Sequence, residues 1–508
     1  MLPSIPSTQQ TAYICALLKA LATLSSAILA TPRLRLLESN VCRSHYQTFN
    51  STAINLSTNN VPESLCKIEP VQADLASLLG WDSFFQNLPI LIVGVAYSIL
   101  SERIDRKLLL FINLSSYTFA QLYFYSICFF YNTFNLRLIW ATSVFDLIGG
   151  GKIVFDTITL AIIAEAVPAS SLSTTLYYLT AILTALRMLG VSGGSYLLGT
   201  GIWLAIALGF AIWICTLPTA LLLPGGKYHR IAQVEEVEEE EEEEDEDEEA
   251  SCHPEDTAIL MRTQKASSMP VSPASMPDSC SSAFHSIVTP QKIFRILPES
   301  LLSLRPYAFP LCIFLTHELA MGIRDIAEQW MSTRYRTPLR HIGYILAGQT
   351  LFSAVILGLL PTVGSTLSKA TGIVDRDKDL FVVKASIGLS ASGAVLIALA
   401  PSIPFLLCGL AVFASAVGFH DAMIAVVSRG LSDANPGSSG SCNGTIPIAR
   451  LYMSISIIEV VGNMANGPLW AGVYGLALKT GTQIGMAIPF LITGMSFGGV
   501  GALVWSLK

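Results

Sequence analysis

The sequence predicts an all-α polytopic membrane protein, with about twelve transmembrane helices in two six-helix sets. Three observations carry this. Apolar segments recur from residue 12 to residue 506, and each approaches the roughly 20 residues that a spanning helix needs. One hydrophilic stretch, 224–305, divides them into near-equal halves, 1–223 and 306–508. Of the 508 residues, 52% are hydrophobic and only 13% charged, against about a quarter charged in soluble domains.

Spans are expected near 10–35, 72–99, 108–131, 137–165, 172–197 and 200–223, then near 306–333, 341–362, 380–400, 402–428, 447–474 and 480–506. Backbone groups in lipid must bond internally, so runs of this kind are helical. The first run ends in small residues near Ala30 and superficially resembles a secretion leader. No Lys or Arg precedes Lys19, so the basic leader region is missing and the run reads as the first spanning helix.

A polar segment follows that helix. It holds Cys42, Cys66 and the glycosylation sequons at Asn50 and Asn55. A disulfide is permitted there if the segment faces an oxidising compartment; two free thiols are the other reading. Most other cysteines lie in apolar runs as small hydrophobes (Cys15, Cys128, Cys215, Cys312, Cys408). No CxxC or other metal-ligand spacing occurs, so no metal is expected.

Charge sets the orientation. With both termini inside, inner segments hold 17 Lys+Arg and outer segments nine, a bias that favours termini in the cytoplasm. Asn50 and Asn55 then lie outside, and the sequon residues Asn113 and Asn443 inside. Residues 235–249 carry 14 acidic groups; the other 23 acids against 30 Lys+Arg leave the body at +7. Dense like charge followed by Ser, Pro and Met marks 224–305 as a disordered acidic cytoplasmic linker. A regulatory or cation-binding tail is the alternative.

Ionisable groups inside spans cost roughly 2.5–3.5 kcal/mol or more each and therefore mark cavities or partners. The fourth span carries Asp146, Lys152 and Asp156; the last two are four apart and near enough to pair on one helix face. In the seventh, His317, Arg324 and Glu328 fall on one face, with Glu318 and Asp325 in a row beside them. Lys19, Arg187, His420, Asp421 and Glu459 complete the candidates for a central cavity or proton coupling. Arg187 precedes Gly190 by three, as Glu459 precedes Gly462. This echo fits halves that are parallel repeats, and predicts that Arg187 and Glu459 face one cavity and pair across it in one state.

Catalytic patterns are absent: His317-Glu318 lacks the second His of H-E-x-x-H, and no phosphate-binding loop occurs. Gly149-Gly150-Gly151 lies mid-helix rather than after a strand. No enzyme activity, cofactor or nucleic-acid partner is expected.

The loop after the second span reads Ser98-Ile99-Leu100-Ser101-Glu102-Arg103-Ile104-Asp105-Arg106-Lys107. It resembles the G-x-L-x-D-R-x-G-R-[RK] signature of the major facilitator superfamily, matched at Leu100, Glu102 (in charge), Arg103, Arg106 and Lys107. Ser98 and Asp105 stand where the signature has glycine. Val41-Cys42-Arg43 with Tyr46, Cys66-Lys67, Val71-Gln72 with Leu75-Ala76, and Ala164-Glu165-Ala166-Val167-Pro168 resemble a fungal-type branch. Gly190-Val191-Ser192-Gly193-Gly194 is one residue short of the antiporter motif G-P-x-x-G-G and lacks its proline, so antiport is not inferred.

The resemblance implies a secondary active transporter. It would move a small organic or drug-like solute by alternating access, proton-coupled, with Leu100, Glu102, Arg103, Arg106 and Lys107 as an inner gate. A non-transporting membrane sensor on the same scaffold is the alternative. The implied setting is a monomer in the lipid bilayer of the plasma membrane, or else of the vacuole, with the substrate and protons as partners.

Overall fold

The structure is a computed structural model. It describes residues 7–49, 61–103, 105–167, 169–223, 308–371, 375–416, 419–420, 422–424, 426–427, 445–482 and 484–505. The first half comprises α1 (Ser7–Phe49), α2 (Glu69–Arg103), α3 (Arg106–Phe129), α4 (Ser143–Gly149), α5 (Gly151–Ala166), α6 (Ala169–Leu198), α7 (Ile202–Ile214) and α8 (Thr216–Leu221). The second comprises α9 (Ala308–Met321), α10 (Ile323–Arg334), α11 (Leu339–Thr371), α12 (Asp375–Leu399), α13 (Ile403–Ala414), α14 (Thr445–Lys479) and α15 (Ile488–Trp505). The fourth, sixth and seventh expected spans are each built of two consecutive shorter helices, and among the described residues six helical stretches are long and apolar enough to cross a membrane. The candidates Asn50, Asn55, Asn443 and Asp421 and the linker 224–305 lie outside the described residues.

The first helix departs most from expectation. It runs 43 residues, about 64 Å at 1.5 Å per residue, instead of ending near residue 35. Arg35, Glu38 and Asn40 look like the start of a loop, yet neighbouring helices bury all three. Cys42 near its end is disulfide-bonded to Cys66, in the short 3₁₀ turn Glu63–Cys66 that leads into α2. This end of the molecule is called the disulfide end below.

Two of these three breaks fall at glycines. Gly150 adopts φ 78° and separates α4 from α5, a left-handed conformation that suits glycine. Asn113 of α3 donates to the carbonyls of Gly149 and Gly151 at 2.5 and 2.8 Å. That satisfies backbone groups the break would leave bare in lipid, and it holds the Asn113 sequon inside a helix seam. The second break is at Gly322, between α9 and α10. Here Asn466 donates to the Glu318 carbonyl at 3.1 Å and Trp470 to that of Leu319 at 2.8 Å.

Each half has its own apolar core. Leu109, Leu110, Leu114 and Phe155 anchor part of the first; Phe314, Trp330, Trp470, Tyr474 and Phe497 anchor the second. Between the halves, α2 meets α14 and α6 meets α11. Gly80 and Gly467 let backbones touch: a Cβ on Gly467 would lie 2.2 Å from the Gly80 carbonyl oxygen, the close approach small residues permit in membranes. Ser195 of α6 is fully buried against Gly343 of α11. Both contacts lie toward the disulfide end.

At the opposite end, Asp105 caps α3 by accepting from the Lys107 backbone N–H at 3.1 Å. The Lys107 ammonium donates to the carbonyls of Leu221 and Leu223 at 2.8 and 2.6 Å. A cation there complements the carbonyl end of α8 and ties the third span to the sixth. Arg106 follows the cap; the side chains of Leu100, Glu102 and Arg103 lie outside the described set.

Candidate functional site

Among the described residues, three polar groups lie within the membrane-spanning body. The central one gathers residues of both halves. In the second half, His317 packs face to face on Phe419 (3.9 Å between ring centres, 14° between planes), and its Nδ1 lies 3.4 Å from Glu318 Oε1. His420 Nε2 and Glu459 Oε1 are 2.6 Å apart. The Arg324 guanidinium lies over the Phe413 ring at 5.7 Å. Arg187, from α6 of the first half, is within electrostatic reach of Arg324, as are Glu318 and Asp325. Arg187, Arg324 and Asp325 are exposed. Arg187 and Arg324 thus bring charges from opposite halves within electrostatic reach of each other.

In this conformation both carboxylates for which the sequence suggests a pair have other partners. Glu459 is engaged by His420, and no ion pair joins it to Arg187 among the described residues. Asp156 pairs with Lys19 of α1 at 2.8 Å, with Thr159 also accepting from that lysine at 3.2 Å. Lys152 is exposed, and no ion pair joins it to Asp156 among the described residues. The sequence face of His317, Arg324 and Glu328 is also divided, because the break at Gly322 interrupts the helical phase. Glu328 turns toward Thr31, Lys67 and Glu38 instead.

The second group is inside the first half, and the sequence reading missed most of it. Arg33 and Asp82 are 3.3 Å apart, Gln86 donates to Asp82 at 2.7 Å, and Arg33 lies 4.0 Å over the Phe124 ring. Asp146, Tyr117 and Gln121 line the same small cavity of about 40 Å³. Arg33 falls near the end of the expected first span and is not among the candidates read from the sequence. Asp82, within an expected span, was a usable signal.

The third group closes the disulfide end and was also unforeseen. Glu38, 1% exposed, accepts from Arg35 (2.8 Å), Lys67 (2.5 Å) and Gln72 (2.8 Å). Glu63 lies 3.4 Å from Arg35 and 3.3 Å from Lys67. The second half attaches to this knot. Gln329 donates to the Gln72 carbonyl and side-chain oxygen at 2.7 and 2.9 Å, and Thr333 to the same side chain at 3.1 Å. The Leu339 N–H donates to Glu63 at 2.8 Å.

Comparison with known proteins agrees with this architecture. The sequence profile described as Major Facilitator Superfamily matches residues 69–446. The chain is 24% identical to the MFS efflux pump atnC of Emericella nidulans, over 98% of this chain and 88% of that one. It is 23% identical to the MFS transporter SAT21 of Stachybotrys chartarum, over 95% and 94%. Among solved structures, the nucleoside transporter NupG superposes with a TM-score of 0.53 at 12% identity, covering 99% of this chain and all of that one; this likeness concerns the fold alone. Profile, full-length relatives and helical architecture converge, and the chain belongs to the Major Facilitator Superfamily as a multi-pass membrane protein of the two-bundle transporter fold.

Proposed function

We propose that this protein exports a small organic solute by alternating access, driven by protons, with the central group as the shared site for solute and proton. The observation that carries the reading is the mixed-charge group between the halves, set below an end that cross-half hydrogen bonds close. Relatives named as efflux pumps support the direction. The termini lie in the cytoplasm, the disulfide end faces outside at the plasma membrane, and 224–305 tethers the halves of a monomer.

The chemistry follows from charge. Among the described residues the group holds the cations Arg187 and Arg324 against the carboxylates Glu318, Asp325 and Glu459. With neutral imidazoles its sum is one negative charge. Closing the halves over an uncompensated charge carries a desolvation cost of several kcal/mol, so closure is favoured when a proton or a cationic solute supplies the missing charge. His317 beside Glu318, and His420 beside Glu459, are the two places where a proton can be shared between imidazole and carboxylate. Solute and proton thereby compete for one compensated state, and this competition gives exchange.

The test is efflux from proteoliposomes against a panel of labelled organic solutes with an imposed proton gradient. Efflux should collapse when a protonophore discharges the gradient, and Glu318→Gln should leave solute exchange while abolishing gradient-driven accumulation. Flux indifferent to the gradient refutes the coupling. Solute binding without net flux in any direction refutes transport and favours a sensor.

A further inference from the structure

A second cavity lies at the disulfide end, apart from the central group. It measures about 810 Å³ and is bordered by α1, the segment after α3, the turn between α6 and α7, and the start of α11. Its wall carries Arg35, Arg43 and Arg340 against one carboxylate, Glu63, with Tyr131 and Trp203 as aromatic surface. Arg35 is compensated by Glu38 and Glu63. Arg43 and Arg340 are not: among the described residues no carboxylate lies within ion-pair distance of either. The Arg43 Nε is moreover buried with no hydrogen-bond acceptor, while its guanidinium is held 5.3 Å from the Tyr131 ring centre. A buried donor left without an acceptor costs roughly 1–3 kcal/mol, and a guanidinium fork matches the geometry of a carboxylate or phosphate.

We propose that this cavity is a binding site for an oxyanion carried on an apolar body, held by Arg43 and Arg340 and packed against Tyr131 and Trp203. The volume falls within the range of about 300–1,000 Å³ typical of small-molecule sites. The site is completed only when the halves meet: Arg35 and Arg43 belong to the first half, and Arg340 to the second. Its ligand therefore binds the state closed at the disulfide end and, by linkage, favours that state. The inference stands independently of what the central group carries. The oxyanion comes either from a soluble aryl carboxylate or from the headgroup of an acidic phospholipid in the same leaflet.

The full chain in nanodiscs distinguishes these sources. In neutral phosphatidylcholine discs, labelled 1-naphthoate should bind saturably, and the uncharged 1-naphthamide should not compete. Arg43→Gln and Arg340→Gln should each weaken naphthoate at least tenfold, with Arg340→Lys intermediate. In discs containing phosphatidate, a rise in thermal stability that Arg43→Gln and Arg340→Gln abolish would assign the oxyanion to lipid, and naphthoate would then be displaced. The proposal is overturned if neither anion binds, if naphthamide competes as well as naphthoate, or if both glutamine variants bind like the parent. If a glutamine variant fails to fold, the naphthoate–naphthamide contrast in the unaltered protein still decides.

Discussion

Gly467→Ala is the sharpest test of the seam between the halves. The added Cβ would stand 2.2 Å from the Gly80 carbonyl oxygen and 2.9 Å from the Ser83 Cβ. Both neighbours belong to α2, and the nearer atom is backbone, so no side chain can swing aside. Relief requires the helices to separate by about 1 Å, and overpacking of this kind costs roughly 1–3 kcal/mol. The cost falls only on the state in which α2 and α14 touch, so the equilibrium moves about tenfold to a hundredfold toward opening at the disulfide end. The reporter is Ser195→Cys, because Ser195 is fully buried against Gly343 in the parallel seam of α6 and α11. A membrane-impermeant maleimide added at the disulfide end should label that cysteine slowly in the parent and at least tenfold faster with Gly467→Ala. Gly472→Ala, on the same helix with nothing within 4 Å, is the control. It should leave labelling unchanged, since it adds only helix propensity of about 1 kcal/mol in both states. Equal labelling rates in parent and Gly467→Ala would refute the seam.

Three further outcomes follow from single contacts. Replacing Cys42 and Cys66 together by serine opens a link across 24 residues of chain; loop entropy predicts a loss of about 3 kcal/mol, read as a lower unfolding temperature in detergent. Asp156→Asn should destabilise the fold by about 1–2 kcal/mol because Lys19 loses its charged partner and keeps only neutral acceptors, Thr159 and the carbonyl of residue 156, whereas Lys152→Ala should be neutral; the reverse order in thermal unfolding would restore the pairing the sequence first suggested. Asn50→Gln with Asn55→Gln should remove all N-linked glycan from the expressed chain, and glycan persisting at Asn443 would invert the proposed orientation.

The spans were legible because hydrophobicity over some twenty residues is a local property. Their internal structure was not. Arg33, Arg35 and Glu38 look like a helix end to any reading that treats charge as solvent-exposed, yet Asp82, Lys67 and Gln72 compensate or cap them from outside that helix. The bond from Gln329 to Gln72 joins residues 257 positions apart, a distance at which sequence spacing carries no signal. Lys152 and Asp156 illustrate the opposite error: helical spacing is local and suggested a pair, but Lys19, in a neighbouring helix, reached the carboxylate first. The three consecutive glycines at 149–151 announced a break that the surrounding apolar run concealed, and the single Gly322 announced nothing. In the central group the residue types were visible and their grouping was partly so; the pairing of His420 with Glu459 required the fold.

The chemistry of the closed end explains how it can be both specific and easy to open. The three donors that hold Glu38 all belong to the first half, so this buried charge keeps its partners whether or not the halves touch. Separation interrupts the bonds from Gln329, Thr333 and the Leu339 N–H, and water can replace each of these at a net cost of about 1 kcal/mol. The packing of α2 on α14 and of α6 on α11 adds an apolar contribution that scales with area, at about 25 cal/mol per Å². A seam that buried a cross-half ion pair would strand a charge on opening, at about 3–5 kcal/mol. The knot around Glu38 therefore presents Gln72 and Glu63 as fixed acceptors without becoming part of the closing equilibrium. Glu38→Gln should accordingly lower the stability of the whole chain more than it changes Ser195→Cys labelling, while Gln72→Leu should do the opposite in proportion; a Glu38 variant that opens the seam as strongly as Gly467→Ala would show that the charge itself, and not the acceptors it positions, holds the halves together.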